Sequence, residues 1–130
     1  MPAKKPVLLI ADDDPEILSL LGLRFAKRGY EILEAQDGLQ ALKISRDRRP
    51  DVLILDVMMP GKNGWEVARE LRADPALSNV GIVMLTAIGE KVNEMTSPLY
   101  GVDDYVDKPF DFAELETKVK GVIEKRRALS

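Results

Sequence analysis

Three carboxylates, a hydroxyl and an amine each stand where an apolar run of the sequence ends. They are Asp12 and Asp13 after residues 7–11, Asp56 after 52–55, Thr86 after 82–85 and Lys108 after 105–107. Two like charges about 4 Å apart repel by roughly 1 kcal/mol in water, and by more where water is scarce. An aspartate after a strand often only caps a helix or forms a turn. Such structural roles explain each residue singly, but they do not explain why all of them follow strands.

The apolar runs predict the strands that position these groups. Val7–Ala11, Val52–Leu55 and Ile82–Leu85 are nearly unbroken, which is typical of central strands in a parallel sheet that is covered on both faces. Glu31–Ala35 and Tyr105–Asp107 carry charges, as edge strands do.

Helical patterns alternate with the strands. They are predicted for Pro15–Arg28, for about 39–47, for 64–73, for a short and poorly specified segment near 90–97 that ends before Pro98, and for Asp111 to about Ala128. Asp14 is expected to cap the first of them, ahead of Pro15 at the first helical position.

Five strand–helix units indicate a doubly wound α/β fold. Right-handed crossovers and burial of the three apolar strands favour the flavodoxin-like strand order 2-1-3-4-5. We expect one domain over residues 1–130, with a core of about 6–126 and flexible ends at 1–5 and 127–130. In such sheets the site lies at the carboxyl ends of the strands, so the five polar groups would meet at one rim.

The composition of the sequence excludes several kinds of catalytic and binding site. The sequence has 130 residues, a net charge of −3 and neither cysteine nor histidine. These absences exclude a catalytic triad, a histidine-ligated metal, thiol chemistry and a phosphohistidine made by this sequence. The acidic balance gives no sign of a nucleic-acid surface, no apolar run approaches the length of a membrane span, and a cytoplasmic location is expected.

The ordered motifs "LIADDDPEI", "PDVLILDVMMPGKNGWEV", "VMLTA" and "GVDDYVDKPF" resemble those of response-regulator receiver domains in bacterial two-component signalling. The resemblance covers about Pro6 to Arg126. It implies a switch that is activated by phosphorylation and not an enzyme, one that catalyses only its own Mg²⁺-dependent phosphorylation and its dephosphorylation.

The resemblance also implies a role for each site residue. Asp56 would accept a phosphoryl group from a histidine kinase or a phosphotransfer protein. Mg²⁺ or Mn²⁺ would be held by Asp12, Asp13, Asp56 and the backbone carbonyl of Met58. Thr86, Ala87 and Lys108 would bind the phosphoryl group, Thr86 and Tyr105 would form the switch, Lys108–Pro109 would be a cis peptide, and Met58 and Ile88 would tune hydrolysis.

Two surfaces are candidates for partners. Leu20 and Leu23 on the first helix could form part of a docking face for the kinase or phosphotransfer protein, or be ordinary scattered surface residues. A homodimer could form through the predicted 90–97 helix, the last strand and the last helix, where Asp103, Asp104, Lys118 and Lys120 supply charges.

Three other functions remain open at this point. A phosphohydrolase of the haloacid-dehalogenase type would need an acid two residues after Asp56, where Met58 stands. A flavodoxin-type nucleotide binder would want a loop rich in small and hydroxyl residues in place of "DDDP". A receiver-like interaction module could also work without phosphorylation. Whether the receiver acts alone or controls an output domain is left open.

Overall fold

Residues 5–86 and 101–129 are described by the structure, a computed structural model. The strands are β1 (Val7–Ala11), β2 (Glu31–Ala35), β3 (Val52–Asp56), β4 (Gly81–Thr86) and β5 (Asp104–Asp107). The helices are α1 (Pro15–Lys27), α2 (Gly38–Arg48), α3 (Gly64–Ala73) and α4 (Phe112–Leu129), with a 3-10 turn at Pro75–Leu77. No helix among these described residues is long and apolar enough to cross a membrane.

The strands form one parallel sheet in the order β2-β1-β3-β4-β5, which confirms the predicted order and both predicted edge strands. Every residue of β3 and β4 is buried, whereas β2 exposes Glu31 and Glu34. Apart from Asp56 and Thr86 at the carboxyl ends of β3 and β4, the central strands carry only apolar residues or glycine, because helices cover both of their faces. One core lies against α2 and α3, and the other lies against α1 and α4.

Side-chain caps set the helix starts. Asp14 accepts a hydrogen bond from the backbone N–H of Glu16, as expected for the cap of α1. Asp111 was predicted inside the last helix, but its carboxylate accepts the N–H of Ala113 (3.1 Å), so α4 begins one residue later, at Phe112. Phe112 is half-buried, since its ring packs on Phe25, with ring centroids 4.9 Å apart, at the margin of the core.

The structure buries the side chain of Asp103, which was predicted to contribute charge to the surface. Its side chain is 1% exposed, and the carboxylate binds Arg72 of α3 (3.0 Å) and Arg126 of α4 (2.6 Å) and accepts the backbone N–H of Ile82 (2.8 Å). The exposed Lys125 adds a contact at 3.2 Å. The prediction that Asp103 contributes surface charge is therefore wrong: the residue ties α3, α4 and the start of β4 together at the amino end of β5.

Candidate functional site

The strand register brings Asp12 and Asp56 side by side at the carboxyl edge of the sheet. Ala11 of β1 pairs with Leu55 of β3, so the next residue of each chain segment, Asp12 and Asp56, continues the same register. β4 ends at Thr86 beside β3, and Lys108 follows β5. The polar strand ends thus share one rim, as the sequence pattern predicts.

Three carboxylates cluster at this rim. One oxygen from each of Asp12, Asp13 and Asp56 lies within 4.8 Å of the others. Asp12 is fully buried and Asp56 is 5% exposed, while Asp13 faces solvent. Carboxylate oxygens are the ligands that hard divalent cations prefer. Two buried anions beside an exposed one form a set of donors that fits Mg²⁺, which keeps several of its waters.

Lys108 reaches back into the carboxylate cluster. Its Nζ lies 3.1 Å from Asp56 Oδ1 and 3.3 Å from Asp12 Oδ2, and its peptide bond to Pro109 is cis. Burial lowers the pKa of Lys108, but the attraction of Asp56 and Asp12 outweighs burial, so its pKa is raised overall. The ammonium group therefore stays charged and supplies a fixed cation at the rim.

Asp56 is the carboxylate whose charge is least favourable. Burial, followed by repulsion from Asp12, raises its pKa to about 6, although Lys108 acts in the opposite direction. Asp56 is still mostly ionised at neutral pH. Its carboxylate is thus held in a poorly hydrated place, where an added cation would relieve the repulsion.

This pKa leads to a prediction about stability. A carboxyl group whose pKa is raised on folding stabilises the fold only while it is protonated, and that stability is lost as pH rises through about 6. With divalent cations absent, we expect Asp56→Asn to be more stabilising at pH 8 than at pH 4. The change that it causes in the free energy of unfolding should differ between the two pH values by about 1–3 kcal/mol. Urea unfolding at both pH values measures this difference.

The control for this prediction is Asp47→Asn, which changes an exposed carboxylate on α2. The change in its effect between pH 4 and pH 8 is the baseline for removing a solvent-exposed carboxylate. If the effect of Asp56→Asn changed no more between these pH values than that of Asp47→Asn, a raised pKa at Asp56 would be contradicted.

Thr86 and Tyr105 lie on the same face of the sheet. Tyr105 pairs with Met84 and Asp107 pairs with Thr86, and alternate residues of a strand point to the same side. Thr86 is fully buried, and its hydroxyl donates to Asp107 Oδ1 (2.5 Å). Tyr105 is half-buried, and Lys118 Nζ lies 5.4 Å from the centre of its ring. Asp107 was not singled out from the sequence, although its spacing of two residues from Tyr105 places it on this face.

The loop after Asp56 requires a glycine at the start of α3. A Cβ atom at Gly64 would lie 2.5 Å from the carbonyl oxygen of Asp56 and 2.9 Å from Val57 Cα. The close approach holds the loop against the end of β3. Met58 in this loop is 68% exposed. Ala87, Ile88 and the predicted 90–97 helix lie outside the described residues.

The predicted docking leucines on α1 are exposed. Leu20 is 50% exposed and Leu23 is 66% exposed. Leu20 lies beside Arg24, Phe110 and Phe112, so α1 and the segment after Lys108 form one continuous surface next to the rim.

The described structure thus combines a cation-binding cluster, a fixed ammonium and a hydroxyl, groups that together can bind an anion with its counter-cation.

Comparison with known proteins identifies a matching family and similar structures. The family described as "Response regulator receiver domain" matches residues 8–120. Among curated relatives, the phosphate regulon transcriptional regulatory protein PhoB of Pseudomonas aeruginosa is 40% identical over 116 residues, which cover 89% of this chain and 51% of PhoB. The chain spans about half the length of the curated relatives it matches.

Solved structures show the same fold. The receiver domain of Francisella response regulator 1452 is 30% identical, with a TM-score of 0.83 over 93% of this chain and 98% of that one. The receiver domain of sensor histidine kinase PA1611 from Pseudomonas aeruginosa is 27% identical, with a TM-score of 0.83 over 93% of this chain and 99% of that one. In that structure a magnesium ion is coordinated in the active-site cleft.

Proposed function

The chain belongs to the response regulator receiver family of two-component systems, and on this premise we propose that Asp56 is its phosphoacceptor. The observation that carries the proposal is the rim itself, where Asp56 lies with two further carboxylates and with Lys108 at 3.1 Å. A carboxylate can attack phosphorus and hold the phosphoryl group covalently as an acyl phosphate.

The reaction is a transfer from nitrogen to oxygen. An Asp56 oxygen forms the new bond to phosphorus as the bond to a histidine nitrogen of the donor breaks, and the imidazole leaves. This sequence contains no histidine, so the donor imidazole comes from outside it, from a histidine kinase or a phosphotransfer protein. Lys108, which neutralises Asp56 before the transfer, remains in place to pair with a phosphoryl oxygen afterwards.

The carboxylate cluster fits Mg²⁺. Asp12, Asp13 and Asp56 would hold the ion together with the backbone carbonyl of Met58, and Mn²⁺ has similar ligand preferences. When bound, the cation supplies charge neutralisation for the phosphoryl oxygens. The chain's own catalysis is confined to acquiring and losing its phosphoryl group, so we propose a signalling switch and not a metabolic enzyme.

Thr86 and Tyr105 would transmit the change. A phosphoryl group adds about −1.5 to −2 charge and strong acceptors at the rim. We propose that Thr86, with the backbone of Ala87, binds a phosphoryl oxygen and that Tyr105 rearranges with Thr86. The altered surface would comprise the 90–97 segment, β5 and α4. Met58 and Ile88, both apolar, would slow hydrolysis by restricting water at the acyl phosphate.

The partners follow from the surfaces. We propose that the exposed face of α1, with Leu20 and Leu23, receives the kinase or phosphotransfer protein. The relatives that share this domain are transcriptional regulators of about twice its length, so an output domain or a separate partner would read the switch. A homodimer across the 90–97 segment, β5 and α4 would use Asp104, Lys118 and Lys120, since Asp103 is buried.

We further propose that residues 1–130 constitute a single receiver domain and that it works in the cytoplasm, without direct contact with nucleic acid or membrane. A module that works without phosphorylation would have no use for the buried carboxylate pair beside Lys108, which favours the switch. A phosphohydrolase of the haloacid-dehalogenase type would need an acid two residues after Asp56, and Met58 stands there.

Incubation with acetyl phosphate and Mg²⁺, followed by intact-mass measurement, tests the proposal. We expect a gain of one phosphoryl group, which a chelator of divalent cations abolishes. Asp13→Asn, which removes the exposed carboxylate, should raise the Mg²⁺ concentration for half-maximal uptake by about 10-fold or more. Absence of any gain, both with acetyl phosphate and with a phosphohistidine protein, would contradict the proposal.

A further inference from the structure

Asp107 accepts a hydrogen bond from the hydroxyl of Thr86, the hydroxyl that the proposed switch uses. The Thr86 hydroxyl donates to Asp107 Oδ1 at 2.5 Å, and the only other acceptor near it among the described residues is the Val106 carbonyl, at 3.4 Å. A threonine hydroxyl has a single proton to donate. While that proton points to Asp107, it is unavailable to an anion at the rim.

The strand pairing makes this contact a built feature of the sheet. Thr86 is the last residue of β4 and Asp107 the last residue of β5, and the two are direct partners in the parallel register. Thr86 is fully buried, so its side chain has little freedom apart from rotation between acceptors. The acceptor that competes for this proton is Asp107, which is exposed at the end of β5.

We propose that Asp107 is a positioning residue that retains the Thr86 hydroxyl in the unphosphorylated arrangement and so sets the threshold for activation. The inference rests on the proposed function, because it assumes that Thr86 binds a phosphoryl oxygen at Asp56. Hydrogen bonds to charged acceptors are the stronger ones, so the carboxylate competes effectively with the phosphoryl group for this proton. Phosphorylation then has to break the Thr86–Asp107 contact before the switch responds.

Beryllofluoride, a non-covalent mimic of an acyl phosphate, measures the threshold directly. We expect Asp107→Ala to lower the beryllofluoride concentration for half-maximal change in the NMR spectrum by about 5- to 10-fold in the presence of Mg²⁺. Asp107→Asn keeps an acceptor but loses its charge, so its value should lie between those of Asp107→Ala and wild type. The methyl signal of Thr86 should also shift in Asp107→Ala without any ligand.

A double-variant comparison separates the hydrogen bond from simple charge repulsion. In a Thr86→Val background, which removes the hydroxyl and keeps the shape, Asp107→Ala should leave the beryllofluoride concentration unchanged. Asp47→Ala, on α2, serves as a control for the loss of a surface charge and should resemble wild type.

The outcomes are distinguishable. If Asp107→Ala retains the wild-type threshold, or if its effect persists in the Thr86→Val background, the inference is wrong and the phosphoryl switch still stands. If wild-type protein shows no Mg²⁺-dependent response to beryllofluoride and no phosphoryl uptake, the proposed function fails and this inference fails with it.

Discussion

Replacement of Asp56 by asparagine is expected to abolish phosphoryl uptake from acetyl phosphate. The amide has nearly the shape of the carboxylate, but its nitrogen and oxygen are poor nucleophiles, so no acyl phosphate can form. The fold should persist, because Asp56 ionises unfavourably and its charge contributes no stability at neutral pH. Intact-mass measurement after incubation with Mg²⁺ should show only unmodified protein.

Two companion variants make this result specific. Asp47→Asn, at the exposed control position on α2, should take up one phosphoryl group as wild type does. Asp13→Asn retains the nucleophile and should still be modified at high Mg²⁺. If Asp56→Asn gained a phosphoryl group at the wild-type rate, the acceptor would be another residue and the assignment of Asp56 would be wrong.

The second large effect concerns stability. Asp103→Asn is expected to lower the free energy of unfolding by about 3–5 kcal/mol, since loss of one partner of a buried ion pair leaves the other charge uncompensated. The side chains of Arg72 and Arg126 are only 15% and 17% exposed, so water cannot fully replace the carboxylate. Urea unfolding near neutral pH measures the loss.

Lys125→Ala is the matched control for Asp103→Asn. Lys125 contacts the same carboxylate at 3.2 Å, but its side chain is 55% exposed, so the pair should contribute less than about 1 kcal/mol. Although burial raises the pKa of Asp103, the hydrogen bonds from Arg126 and the backbone N–H of Ile82 outweigh burial and lower it overall. The contribution of Asp103 is therefore present at neutral pH and is lost only as pH falls through its lowered pKa. Equal losses for the two variants would contradict the buried network.

The sequence predicts the sheet and its rim because both follow from local patterns. Unbroken apolar runs are required where helices cover both faces of a strand, and the residue that ends such a run must lie at the carboxyl edge. The strand order then follows from which runs carry charges: Glu31 and Glu34 mark β2 as an edge strand. In this way the sequence pattern predicts that Asp12, Asp56 and Lys108 lie together, as they do in the structure.

Contacts between distant segments could not be predicted in the same way. Asp103, Arg72 and Arg126 belong to three segments, and no periodicity indicates that a charged residue just before a strand is buried. The hydrogen-bond partner of the Thr86 hydroxyl could not be predicted from the sequence either. Strand register shows which residues are neighbours, but it does not show which acceptor receives the hydrogen bond. Prediction is thus strong for residues at strand ends and weak for hydrogen bonds that a tertiary contact decides.

The most direct test of the account is to locate the phosphoryl group chemically. Borohydride reduces an acyl phosphate of aspartate to homoserine, which protease digestion and peptide mass spectrometry can assign to one position. After treatment with acetyl phosphate and Mg²⁺, we predict homoserine at position 56 and at no other aspartate. Homoserine at position 12 or 13, or none in protein that has gained a phosphoryl group, would contradict the assignment of Asp56 as the phosphoacceptor.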